Sequence, residues 1–199
     1  MGSSTILDIL SSLIIAGFLL LMVIHMNSSL VYSNYTTTND LTVQENLVSL
    51  VRMIEDDFRR IGYCRDFTKV PDPSKAILGA GRHNIKFQTD LSNIGNVDTL
   101  EYSIGTISGL TGTPNPRDMY LYRDVNNVRR GGISLGVTKF DFVYFDAQGD
   151  SLSFPIDNPN AIYEIQLSVL LESPYAYDTT YSFAFWRQLR LAARNLKNR

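Results

Sequence analysis

Asp8 is the one acidic residue inside an apolar run, Ile6 to Met26, that reads ILDILSSLIIAGFLLLMVIHM. An unpaired carboxylate at the centre of a bilayer costs on the order of 3 kcal/mol, so Asp8 is a candidate charge partner for a cation. It also lies near the start of the run, where a side chain can reach headgroup water instead. Gly132-Ile133-Ser134-Leu135-Gly136 matches the G-x-S-x-G pattern of a nucleophilic serine. That elbow needs a strand before it and a helix after it. Here a strand pattern follows, and both histidines, His25 and His83, precede the serine. Asp146, Gly149 and Asp150 could offer oxygen ligands, but they fall short of the ligand count of a calcium loop. No Cys/His cluster has zinc spacing. The expectation is a chain without catalytic residues, metal or cofactor.

Composition narrows the class further. The 199 residues suit one anchored domain rather than two. A net charge of -2 provides no large positive field for phosphates and argues against a nucleic-acid surface. Cys64 is the single cysteine, so no intrachain disulfide forms. The basic tail from Arg187 to Arg199 reads as a solvated strand edge and terminus.

The elements that must carry these residues begin with a helix. The 6–26 run is long enough, at about 1.5 Å per residue, to cross a hydrocarbon core of roughly 30 Å. It lacks the basic n-region and small-x-small cleavage site of a secretion signal. Leu47, Leu50, Val51, Ile54, Phe58 and Ile61 then recur at three- and four-residue spacing, predicting an amphipathic helix over 41–61 that stops at Gly62. Glu55 with Arg59 and Asp56 with Arg60 are spaced for i,i+4 ion pairs. The Ser-, Thr- and Asn-rich stretch 27–40 lowers helix propensity but contains no proline. An unbroken helix from Ser4 to Ile61 would measure roughly 85–90 Å, the length of a stalk or a packing element in an assembly.

After Gly62 the period changes from helix to strand. Pro71, Pro73, Gly79 and Gly81 mark a loop. Ile85 and Phe87, then Leu100, Tyr102 and Ile104, then Tyr120 and Tyr122 form short alternating runs. Val137 to Phe145 reads as the first arm of a hairpin returning through Leu152 and Phe154, with Phe140, Phe142 and Tyr144 on one face. Tyr163, Ile165, Leu167, Val169 and Leu171 predict a longer strand. The last, Tyr181 to Leu191, places Phe183, Phe185, Leu189 and Leu191 on one face, with Arg187 interrupting it. A long helix followed by an antiparallel sheet with one apolar face is an α+β arrangement.

Three segments carry a resemblance. STILDILSSLIIAGFLLL from Ser4, QENLVSLVRMIEDDFRRIGYC from Gln44 to Cys64, and Gly136 to Tyr144 with Asp146 and Gly149 behind it together resemble type IV pilin-like proteins. The likeness is specifically to the minor pilin and pseudopilin group of the PilW and GspJ type. The closing Arg190-Leu191 and Arg194-Asn195 are similar to that group's terminal strand. The resemblance implies a short leader removed by a prepilin peptidase; an alternative cut after Gly2 would leave Asp8 sixth, and the favoured cut, between Ser3 and Ser4, removes residues 1–3. Asp8 would then be the fifth mature residue, where the family carries Glu. The residue before the cut is Ser rather than the family's Gly, the leader is short and uncharged, and a second cysteine found in many relatives is missing.

What the resemblance implies is a structural subunit with a helix over 4–62 and a β-rich domain over 63–199. It would sit in a bacterial inner membrane with its C-terminal domain outside the cytoplasm, then join a pilus or pseudopilus. Its partners would be other pilin or pseudopilin subunits, met through the N-terminal helix, with Asp8 pairing with a freed N-terminal amine. The alternative is a single-pass anchored protein with an extracytoplasmic binding domain that never polymerises.

Overall fold

Helical residues run without a break from Gly2 to Arg59, forming α1. The computed structural model describes residues 2–176 and 180–191; the side chains of 2–4 and 188–191 lie outside the description. The soft stretch 27–40 stays helical because it lacks proline and its hydroxyls turn back on the helix. Ser28 Oγ donates to the Ile24 carbonyl at 3.0 Å, and Thr36 Oγ1 donates to the carbonyls of Tyr32 and Ser33 at 3.1 and 3.0 Å. These bonds occupy polar groups that would otherwise compete for backbone. The chain divides into two compact units, Met1–Asn39 and Asp40–Arg199.

In the second unit the C-terminal part of α1 packs on a seven-stranded antiparallel sheet, giving the expected α+β class. The strands are β1 (Ile77–Ala80), β2 (Asn84–Thr89), β3 (Asp98–Ile104), β4 (Met119–Val125), β5 (Gly132–Phe145), β6 (Glu164–Glu172) and β7 (Phe183–Leu191). Their spatial order is their sequence order, a meander in which every neighbour is antiparallel. Alternation supplies one apolar face: Ile85 and Phe87, Leu100 and Tyr102, Leu121, Phe140, Phe142 and Tyr144, and Ile165, Leu167, Val169 and Leu171 are all buried. The helical stripe Val43, Leu47, Leu50, Ile54, Phe58 and Ile61 covers it. Phe58 lies at the centre, edge-on to Phe87 (5.5 Å between ring centroids) and Tyr102 (5.8 Å) and stacked on Phe142 (6.0 Å). Such geometries add about 1 kcal/mol each to simple area burial.

Gly62 ends this packing segment. It lies at φ +72°, and a Cβ there would crowd Pro73 and Ala76. The turn between β1 and β2 folds back onto β5, where the Phe142 N–H donates to the Arg82 carbonyl (2.8 Å). Tyr144 donates its hydroxyl hydrogen in the same place, with the Gly81 and Asn84 carbonyls at 3.0 and 3.2 Å. His83, read from sequence as a loop residue, sits in that turn with Nδ1 2.9 Å from Asp141 Oδ1.

Several sequence expectations are corrected. The 71–81 stretch is not all loop, because β1 passes through Gly79. The hairpin return at Leu152 and Phe154 is reduced to a single bridge, Phe145 to Ser151, and β5 pairs instead with β6. Pro155 and Pro159 lack the N–H groups a paired strand would need there. The inward face of β7 is set by its pairing with β6. Leu171 pairs with Ala184 and Val169 with Trp186, so Ala184 and Trp186 pack on the core while Phe183 and Phe185 are exposed. Cross-strand partners share a face, and the buried residues of β6 decide which. Glu55 and Arg59 approach to 3.9 Å, but Arg60 turns past the helix end to donate to the Leu91 carbonyl. The side chains of Leu189, Arg190 and Leu191, and all of Arg194-Asn195, lie outside the description.

Candidate functional site

In the first unit, the apolar segment of α1 is exposed around its whole circumference. Ile6, Leu10, Leu13, Phe18, Leu21 and Ile24 are each more than half exposed. The helix is long and apolar enough to cross a membrane, and none of its most apolar window is buried. A helix that is apolar all round needs an apolar environment, either lipid or like helices. Its two central hydroxyls are already satisfied, Ser11 on the Leu7 carbonyl (2.7 Å) and Ser12 on the Ile9 carbonyl (2.8 Å). Asp8 stands out as the charged group of this surface. Its side chain is exposed and has no hydrogen bond or ion pair among the described residues. Ser3 and Ser4 lie in the helical backbone, and their side chains are outside the description.

In the second unit, a polar clamp that the sequence reading missed joins helix to sheet. Asp57 accepts from the Tyr102 hydroxyl (2.5 Å), from Arg123 Nε (2.7 Å) and from Arg123 Nη2 (3.0 Å). Burial, with the Asp57 carboxylate alongside, drives the Tyr102 hydroxyl far above its usual range. The bonds to Asp57 likewise raise Arg123, so both stay protonated at any ordinary pH. The signal was present: Asp57 falls three residues after Ile54 and four before Ile61, on the buried stripe.

A second polar cluster ties the 113–118 loop to the end of β6. Asn115 Nδ2 donates to Glu172 Oε2 (2.9 Å) and to the Ser173 carbonyl (3.3 Å), and Arg117 reaches the same carboxylate at 2.8 Å. Asp118 is fully buried beside it. Neither of its oxygens has a well-formed hydrogen bond, although the Thr113 hydroxyl lies close by. A third carboxylate, Asp90, organises the 63–66 and 93–95 backbone, accepting from the N–H groups of Gly95 (2.7 Å), Arg65 (3.2 Å) and Ile94 (3.2 Å). Burial opposes its ionisation, but these donors outweigh burial and lower its pKa.

The remaining candidates do not come together. Ser134 lies exposed within β5, with strand continuing on both sides. His83 is engaged with Asp141, and His25 lies in α1. Asp146 Oδ1 is occupied by the N–H groups of Gln148 (3.0 Å) and Asp150 (2.9 Å), an ordinary capped turn. Among the described residues no group of three or more His, Cys, Asp or Glu side chains could hold a metal ion. Cys64 is buried and free.

Comparison with protein-family models, curated proteins and solved structures gives no match.

Proposed function

We propose that this chain is a structural subunit of a helix-bundled filament, a minor pilin or pseudopilin that helps initiate or cap a type IV pilus or a type II secretion pseudopilus. The observation that carries the reading is the exposed apolar helix with Asp8 near its start. In hydrocarbon an isolated carboxylate is unfavourable, and a cation on a neighbouring helix relieves it. Such a pair fixes register more than it adds net stability, because desolvation offsets much of the attraction. The α+β unit that follows is the kind of head such subunits carry.

In this reading the helix first holds the protein in a bacterial inner membrane with residues 40–199 outside the cytoplasm. Cleavage by a prepilin peptidase between Ser3 and Ser4 frees the amine that Asp8 or a neighbour's equivalent acid engages. The role is architectural rather than catalytic. Asp8→Leu tests it: membrane abundance stays at the wild-type level while incorporation into sheared filaments falls at least several-fold. Equal incorporation at equal abundance would remove Asp8 from assembly, whereas wild-type protein absent from sheared filaments would favour the non-polymerising anchor, which the same apolar helix also suits.

A further inference from the structure

We propose that the tip of the β4–β5 hairpin is a docking cleft for an extended peptide bearing a carboxylate side chain. The cleft holds about 420 Å³ and is lined by Arg123, Val125, Arg130, Gly131, Gly132 and Ile133. It lies wholly within the 40–199 unit, so it stands independently of how the N-terminal helix is used.

The hairpin builds this cleft by departing from regular pairing. Val125 pairs with Val128 across Asn126 and Asn127, both at positive φ (53° and 61°), the signature of a tight two-residue turn. The next pair is Tyr122 with Gly132. Arg123 and Asp124 on one strand therefore face Arg129, Arg130 and Gly131 on the other, and the extra residue swells into a bulge with Gly131 at φ +119°. Bulges re-aim side chains. Here the two arginines part company. Arg129 is held by Asp124 at 2.9 Å and stacks 3.9 Å over the Tyr122 ring. Arg130 lines the cleft with no partner among the described residues.

The cleft's chemistry selects an acid. Asp57 neutralises Arg123 through Nε and Nη2, leaving Nη1 without a hydrogen bond among the described residues and Arg130 as the uncompensated charge. Among the described residues, the backbone N–H groups of Arg129, Arg130 and Gly131 meet no backbone carbonyl. A guanidinium binds a planar carboxylate through paired N–H donors, and free backbone N–H groups suit the carbonyls of an extended chain. Val125 and Ile133 supply apolar contact for the residue beside the acid. A free dicarboxylate would use only the charge; a peptide uses all three features.

The test uses the full chain in detergent micelles and the probe N-acetyl-Ile-Glu-Ile-amide, with amide NMR shifts at Gly131 and Gly132 as the readout. The expected result is saturable binding, weakened at least tenfold when the peptide's Glu becomes Gln and at least tenfold in Arg130→Ala. Arg52→Ala, an exposed arginine on α1, leaves binding unchanged, and Arg130→Ala keeps wild-type thermal stability. Three results would each overturn the proposal. They are equal binding of the Gln peptide, equal losses in the Arg130 and Arg52 variants, and succinate binding as tightly as the peptide.

Discussion

Asp57 and Arg123 grip each other through two parallel bonds, Nε to Oδ2 at 2.7 Å and Nη2 to Oδ1 at 3.0 Å, joining α1 to β4 under the packed helix. The fork geometry fixes the rotation of the helix as well as its distance from the sheet. Asp57→Ala leaves a half-buried guanidinium and the Tyr102 hydroxyl without their acceptor, at a cost of about 3 kcal/mol. Arg123→Met costs a similar amount, and the double variant loses less than the sum of the two. Urea denaturation of the four proteins measures this coupling. Strict additivity would mean that the bond contributes nothing beyond its parts.

Phe58 tests the packing itself. It is buried among Phe87, Tyr102 and Phe142, so Phe58→Ala costs about 3–5 kcal/mol through lost transfer energy and an unfilled cavity. Phe183 is 69 % exposed, and Phe183→Ser changes stability by no more than about 0.5 kcal/mol. Thermal unfolding of the two variants separates the core face of the sheet from its outer face.

The difference between those phenylalanines also marks what could be read from residues alone. The helical stripe ending at Phe58 and Ile61, and the inward faces of β2, β3 and β6, follow from periodicity, because one apolar stripe and one apolar sheet face must cover each other. The face of β7 does not follow. The more apolar alternating set, with Phe183 and Phe185, faces outward, and only pairing with Val169 and Leu171 decides that Ala184 and Trp186 turn inward. Asp8 was legible as a lone charge in an apolar run. The Asp57 clamp escaped because Arg123 lies far away in sequence, and a buried acid with a distant partner looks locally like a misplaced surface residue.

Asp118 makes stability depend on pH. Burial, with the Glu172 carboxylate nearby, raises its folded-state pKa above the ordinary value of 3.8. The folded form thus holds the proton more tightly than the unfolded chain. The stability this contributes is fully present below the unfolded pKa and is lost as pH rises through the folded one. Asp118→Asn removes the ionisation, so the variant gains on wild type as pH rises from about 4 toward neutrality, and the two differ least at the acid end. Parallel denaturation curves across pH 3–8 measure this; an Asn variant that loses ground with rising pH would reverse the assignment.

The proposed processing is checked at the N-terminus. Intact-mass analysis of protein from its native membrane should find residues 1–3 removed and Ser4 first, and the same preparation lacking prepilin peptidase should retain Met1. Retention of the leader in both preparations would leave the amine partner of Asp8 unformed.

If the apolar helix bundles with its like, it touches another subunit's helix in the native membrane. A photo-crosslinking residue replacing Phe18, which is 64 % exposed on the apolar segment, would be irradiated in intact cells before the filament fraction is sheared off. A helix-bundled subunit yields covalent adducts to the apolar N-terminal helix of another subunit, recovered with the fibres. Adducts to lipid alone, with all of the protein left as monomer in the membrane, would contradict that bundling.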